Sequence, residues 1–142
     1  MTSDQALQNF GFVPDASRLD EVRAALLEEM RWRQSDEDDG SDHDDVLLVL
    51  CVQLFAAGQV EDCLNIWRAK QNDFDAFCYI DTQFLCGAGV PKTKAFLESL
   101  DTPESHAIRD WLQLDSPTWA DFSPRDHLAG YRGYFELDET DY

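Results

Sequence analysis

Basic residues are scarce in this chain, and their scarcity excludes one large class of function. Lys and Arg together number 11, against 29 Asp and Glu, for a formal net charge of −18 over 142 residues. Affinity for nucleic-acid phosphates comes from clustered Lys and Arg, whereas the basic residues here are scattered along the sequence. We therefore expect no direct binding to DNA or RNA.

Long apolar runs and a secretory start are also missing. No basic segment followed by an apolar stretch opens the sequence. The longest apolar stretch, residues 46–57, is interrupted by Gln53 and is too short to span a bilayer. These features predict a cytoplasmic protein that does not bind membranes.

Cysteine is present but lacks the spacing of a metal or redox site. Cys51, Cys63, Cys78 and Cys86 lie among apolar residues at helical spacing, without a Cys-x-x-Cys pair. Small buried thiols explain this pattern best. We predict no disulfide, no metal ion and no cofactor.

The apolar residues are sufficient for a folded core and follow a helical period. Apolar residues make up 44% of the chain and aromatic residues 12%, which excludes a wholly disordered acidic protein. Residues 46–57 are apolar on all sides, as expected of a central helix, and Gly58 follows as a C-cap. No segment alternates apolar and polar residues as a strand would.

Local signals place further helices before and after this one. The expected segments are 4–10, a helix from Asp15 or Ser17 to Gln34, 60–70, 74–86, 91–100, 103–114 and 124–135. A thirty-residue spacing between two helical hairpins leaves a solenoid-like repeat open as an alternative. We predict an all-α single domain over residues 1–142, a compact bundle of about six helices built from antiparallel hairpins. Its predicted core contains Leu26, Leu48, Leu54, Leu64, Trp67, Phe84, Phe96 and Leu112. Trp111, in the same helix as Leu112, is also expected to face inward.

Much of the negative charge is confined to two short segments. Residues 36–45 hold seven acids and residues 136–142 hold four, so removing these eleven charges from the total of −18 leaves −7. An EF-hand calcium loop does not fit the first segment, because Gly40 in the sixth position would put Ser35 first and Val46 last. We predict a mobile acidic linker at 36–45 and an acidic tail at 136–142.

Candidate catalytic patterns are weak. The three histidines are far apart in sequence, and none begins a known catalytic motif. Asp73, Asp75 and Asp81 could supply paired carboxylates, but Asp75 and Asp81 are poorly spaced for one helix face. We predict a protein that is not an enzyme and keep a carboxylate-dependent enzyme as the third hypothesis.

The acid excess instead favours capture of a basic protein. Oppositely charged surfaces associate fast, and carboxylates can occupy the positions at which a basic partner binds phosphates. We predict an immunity protein that neutralises a basic toxin such as a nuclease. In its small size and acidic composition the chain is similar to small acidic immunity proteins, although it shares no motif with them. The alternative is a helical-repeat adaptor that binds a peptide in its groove. The predicted partner-binding residues are Asp36, Glu37, Asp38, Asp39, Asp42, Asp44, Trp119, Tyr131, Tyr134, Glu136 and Asp138.

Overall fold

A computed structural model describes residues 1–35, 43 and 45–137, and all regular structure in these ranges is helical. Three short 3-10 turns, at Ala16–Arg18, Thr82–Cys86 and Pro117–Trp119, connect the α-helices. The α-helices are α1 Ser3–Phe10, α2 Leu19–Gln34, α3 Val46–Ala57, α4 Asp62–Lys70, α5 Phe74–Tyr79, α6 Val90–Leu100, α7 Pro103–Leu112 and α8 Pro124–Tyr134. The all-α prediction is confirmed, with eight α-helices in the described ranges instead of about six.

Helix α3 is the centre of the bundle. Every residue from Val46 to Phe55 is buried, as the lack of a polar face in this segment predicts. The helix contacts α1, α2, α4, α8 and the 3-10 turn Thr82–Cys86. In a solenoid each repeat contacts only its neighbours, whereas α3 contacts helices from both ends of the described chain. The architecture is therefore a compact bundle around one buried helix.

The local signals at the ends of several helices function as predicted. Gly58 adopts a left-handed conformation after α3, and its N–H donates to the carbonyls of Leu54 and Phe55. Thr102 caps α7 by accepting a hydrogen bond from the Ser105 N–H at 3.1 Å. These are short-range interactions, so the sequence alone indicates them.

The prediction of one helix over residues 74–86 is wrong. Helix α5 ends at Tyr79, Ile80 has an extended backbone, and the 3-10 turn Thr82–Cys86 follows. The cause is the buried ammonium group of Lys70 in α4, which donates hydrogen bonds to the carbonyls of Phe77, at 2.7 Å, and Ile80. Those carbonyls are thus satisfied without a continuing helix. Burial lowers the pKa of Lys70.

The predicted core is largely correct. Five of its members are buried, namely Leu26, Leu48, Leu54, Phe84 and Leu112, and three pack against the core while partly exposed, namely Leu64, Trp67 and Phe96. The prediction that Trp111 faces inward is wrong, because its side chain is 45% exposed on the outer side of α7.

The cysteines follow the prediction with one exception. All four are free thiols, and Cys51, Cys63 and Cys86 are buried. Burial raises the pKa of Cys51 to about 12, so this thiol stays protonated. Cys78 is exposed instead, because α5 lies at the surface.

Two polar side chains whose structural role the sequence did not indicate tie the helices together. The amide nitrogen of Gln53 in α3 is buried and donates to the carbonyls of Ala6, at 3.0 Å, and Gly11, at 2.9 Å. Asp62 in α4 accepts two hydrogen bonds from the Arg23 guanidinium in α2, at 2.9 and 2.8 Å.

Within the described ranges, no helix has the length and apolar character needed to cross a bilayer.

Candidate binding surface at the C-terminal helix

Helix α8 is anchored by a cluster of aromatic rings. Ser123 accepts a hydrogen bond from the Asp126 N–H at 3.3 Å and starts the helix, which contacts α3 and the 3-10 turn Thr82–Cys86. From α8, His127 lies 5.5 Å and Tyr131 4.8 Å from Phe84, measured between ring centroids. The last helix therefore completes the core on this side.

A single carboxylate, that of Asp81, meets two of these rings. The Tyr131 hydroxyl donates to Asp81 Oδ2 at 2.6 Å, and His127 Nε2 lies 3.2 Å from the same oxygen. Burial, together with the bond to Asp81, raises the pKa of Tyr131, so the phenol stays protonated and remains a donor. Asp81 is free to reach α8 because it stands outside helix α5.

Trp119 is held in one orientation by a hydrogen bond to the backbone. Its indole N–H donates to the Leu112 carbonyl at 2.8 Å, and its ring meets Phe122 edge-on with centroids 5.3 Å apart. Ser116 accepts from the Thr118 N–H at 3.3 Å and starts the 3-10 turn that carries Trp119. Trp119 is therefore rigid and partly exposed.

The predicted aromatic cluster is continuous in space. Ring contacts run from Trp119 to Phe122, on to His127 at 5.9 Å and Tyr131 at 5.6 Å, and from Tyr131 to Tyr134 at 5.7 Å. Among these rings Tyr134 faces solvent most, at 61% exposure.

Glu136, which follows α8 with a left-handed backbone, is also exposed. The predicted partner-binding residues that lie outside the described ranges are Asp36, Glu37, Asp38, Asp39, Asp42, Asp44 and Asp138. The predicted mobile linker at 36–45 lies outside the described ranges except for residues 43 and 45. The predicted acidic tail at 136–142 lies outside them except for residues 136 and 137.

A surface cleft of about 470 Å³ opens beside the aromatic cluster. Its size falls in the range of ligand-binding pockets. The lining residues come from two 3-10 turns, the end of α7, the loop before α8 and the start of α8: Thr82, Gln83, Leu112, Thr118, Trp119, Asp121, Phe122 and His127. Among them only Trp119 was predicted to bind a partner, because nothing local in the sequence links residue 82 to residue 127.

A second aromatic surface surrounds Trp111 of α7. The exposed Trp111 ring contacts Phe77 of α5 at 5.4 Å and Trp67 of α4 at 6.3 Å, and its N–H donates to the Thr82 hydroxyl at 3.1 Å. Phe74, one turn before Phe77, is 79% exposed. Exposed aromatic groups of this kind are typical of interaction surfaces.

His43, near the end of the acidic segment, packs against α2. Its ring is parallel to Trp32 with centroids 3.4 Å apart, and its Nδ1 lies 2.8 Å from Oε2 of the buried Glu29. His43 thereby ties the chain just before α3 to α2.

Several cations of the protein are used in ion pairs within the fold. All eleven Lys and Arg lie in the described ranges together with twenty of the 29 acids. Five of these cations make ion pairs with carboxylates: Arg18, Arg23, Arg33, Arg68 and Lys94. The surplus of acids over bases is therefore left to the surface.

The described ranges contain no group of three or more His, Cys, Asp or Glu side chains placed to hold a metal ion. The cleft beside α8 presents the Asp121 carboxylate, hydroxyl and amide groups, and the aromatic side chains of Trp119 and Phe122. A comparison with protein-family models found no match, and comparisons with curated proteins and with solved structures found none either.

Proposed function

We propose that this protein is a non-enzymatic acidic binding module that captures and inhibits a basic protein, as an immunity protein neutralises a toxin such as a nuclease. In this proposal it acts in the cytoplasm, with carboxylates standing where the partner binds phosphates. Nucleic-acid mimicry of this kind requires a rigid body and a large negative field rather than a catalytic group.

The observation that supports the proposal is that several Lys and Arg side chains are engaged in bonds within the fold. Arg23 and Arg33 each hold a carboxylate by two hydrogen bonds, and Lys70 is buried against backbone carbonyls. Basic groups engaged in this way cannot neutralise the remaining acids, so the surface stays strongly negative. Beside this field, the exposed Tyr134 and Glu136 combine an aromatic anchor with a carboxylate, as interface hot spots do.

A peptide-binding adaptor is the second candidate, and the aromatic surface of Trp67, Phe77 and Trp111 favours it. Here the aromatic groups, not the charge, would supply the affinity. Phe74 is the residue to change, because its exposed ring can be removed without opening a cavity.

The experiment is to co-express the chain with each basic protein encoded beside it in its genome, scoring rescue of growth, and to measure affinity by calorimetry. Lowering the salt from about 0.1 M to about 0.01 M lengthens the Debye length from roughly 10 to roughly 30 Å. Charge capture therefore predicts a steep loss of affinity as salt is raised. It also predicts weaker binding after combined replacement of Tyr134, Glu136 and Asp138.

Phe74→Ser is the matched control, since it removes an exposed ring on the other surface. A salt-independent affinity that is lost in Phe74→Ser and kept in the triple variant would reject charge capture in favour of the adaptor. Lack of rescue by any basic neighbour would reject the immunity function.

A further inference from the structure

We propose that the cleft beside α8, lined by Trp119, Phe122, Asp121 and His127, binds an arginine side chain of the basic partner. The inference rests on the proposed function and deepens it, because it assigns the site at which the partner's charge is recognised. The argument uses the charge of the cleft, its aromatic walls and its hydrogen-bond acceptors.

The absence of Lys and Arg from its walls separates this cleft from three other surface cavities, in which carboxylates share the walls with basic side chains. The largest, about 580 Å³ between α6 and α7, contains Lys94 and Arg109. Two more, beside α5, both contain Arg33. The α8 cleft is lined by one carboxylate, Asp121, and by no Lys or Arg. A cation entering it meets a negative group without a competing positive one.

The aromatic walls are already in place. The Trp119 ring is held by its hydrogen bond to the Leu112 carbonyl, and Phe122 stands edge-on against it. A guanidinium group is planar and stacks on such rings, and the negative faces of the rings attract its charge. Because the two rings need no reordering, their own loss of conformational entropy is small when an arginine side chain enters.

The acceptors suit a guanidinium better than an ammonium. Asp121 is exposed at the cleft, and no ion pair to it occurs among residues 1–35, 43 and 45–137. Thr82, Gln83 and Thr118 add oxygen acceptors along the same walls. Five N–H donors in a fixed plane can reach several of these oxygens at once, whereas an ammonium is a point charge.

The probe is the tripeptide N-acetyl-Gly-Arg-Gly-amide, titrated into the isotopically labelled protein and followed by NMR. The reference ligand replaces arginine by citrulline, which has nearly the same shape and no charge. We expect the arginine peptide to shift the Trp119 indole resonance and to bind at least about tenfold more tightly than the citrulline peptide, because hydrogen bonds to a charged group are the stronger ones. Equal binding of the two peptides, or an unperturbed Trp119 resonance, would overturn the proposal.

The variant is Asp121→Asn, and Asp126→Asn is its matched control. Asp126 is an exposed acid in the first turn of α8 that does not line the cleft, so both substitutions change the net charge equally. We expect Asp121→Asn to lower the affinity for the arginine peptide about tenfold and Asp126→Asn to leave that affinity nearly unchanged. The same loss in both variants would show a general field effect and would reject the site.

Failure of this inference can be told apart from failure of the proposed function. Salt-dependent capture of a basic protein without arginine binding in the cleft would overturn the cleft site alone. Arginine binding in the cleft without capture of any basic neighbour would leave the cation site standing and reject the immunity function.

Discussion

Gly87 occupies a position where one added methyl group should destabilise the whole bundle. Its backbone is right-handed helical, with φ −59° and ψ −28°, a conformation open to any residue. The obstacle is steric, because a Cβ built at Gly87 would lie 2.8 Å from the Phe55 carbonyl oxygen and 3.2 Å from the Phe55 Cα. Both atoms belong to the backbone of the central helix and cannot rotate away.

The size of the effect follows from two opposing contributions. Overpacking of a filled interior costs about 1–3 kcal/mol, and a contact this short belongs in the upper part of that range. Replacing glycine restricts the unfolded chain and returns about 0.4–1 kcal/mol. We therefore expect Gly87→Ala to lower the free energy of unfolding by about 1–2 kcal/mol and Tm by about 3–8 °C.

Gly130→Ala is the matched control for this prediction. Gly130 lies within α8, and a Cβ there meets no atom within 4 Å. The same substitution should stabilise the protein by about 0.5–1 kcal/mol, because alanine favours the helix. Urea unfolding followed by tryptophan fluorescence and by helical circular dichroism measures both variants. A Gly87→Ala protein at least as stable as the original would refute the close approach of residue 87 to α3.

Three further predictions concern the core and its polar ties. Leu54→Ala, at a side chain only 1% exposed, should cost about 2–5 kcal/mol in the free energy of unfolding, and unchanged melting would contradict the central position of α3. Gln53→Leu should cost about 1–3 kcal/mol in the same assay, because it leaves two carbonyls of the N-terminal segment without their donor; a neutral effect would mean that water replaces it. The Arg33 guanidinium lowers the pKa of Asp73 well below its usual range, so this carboxylate stabilises the fold above about pH 4, and that contribution is lost as the pH falls through the folded-state pKa. Asp73→Asn should flatten the acid side of a stability-versus-pH curve, and an unchanged curve would exclude this pair as a cause of acid unfolding.

The parts of the fold that the sequence predicted are those set by neighbouring residues. The ends of α3 coincide with the limits of its apolar run, and Gly58 terminates it by a backbone conformation that glycine adopts readily. The start of α7 follows from Thr102 and Pro103 in the same way. In each case the interaction spans only three or four residues, so the pattern is visible in the sequence.

The errors arise where a distant residue decides the structure. The break after α5 depends on Lys70, and a lysine in an amphipathic segment gives no sign that its ammonium will bind carbonyls of the next helix. That Trp119 and Tyr131 bind a partner stays a prediction, which the sequence suggests because both side chains combine an aromatic ring with polar atoms. In the structure those atoms bond to the Leu112 carbonyl and to Asp81, so both rings serve the core as well as the surface.

The same break after α5 also positions the candidate site. Had the helix continued through residue 86, Asp81 would have remained one residue of a regular helix, with its direction set by the helical repeat. Because Lys70 satisfies the carbonyls at the end of α5, the chain becomes extended at Ile80 and brings Asp81 to Tyr131 and His127. Those contacts hold α8 against the core, and α8 carries one wall of the cleft. The buried ammonium of Lys70 thus helps to position α8, and with it the wall of the cleft in which we propose that the partner's arginine binds.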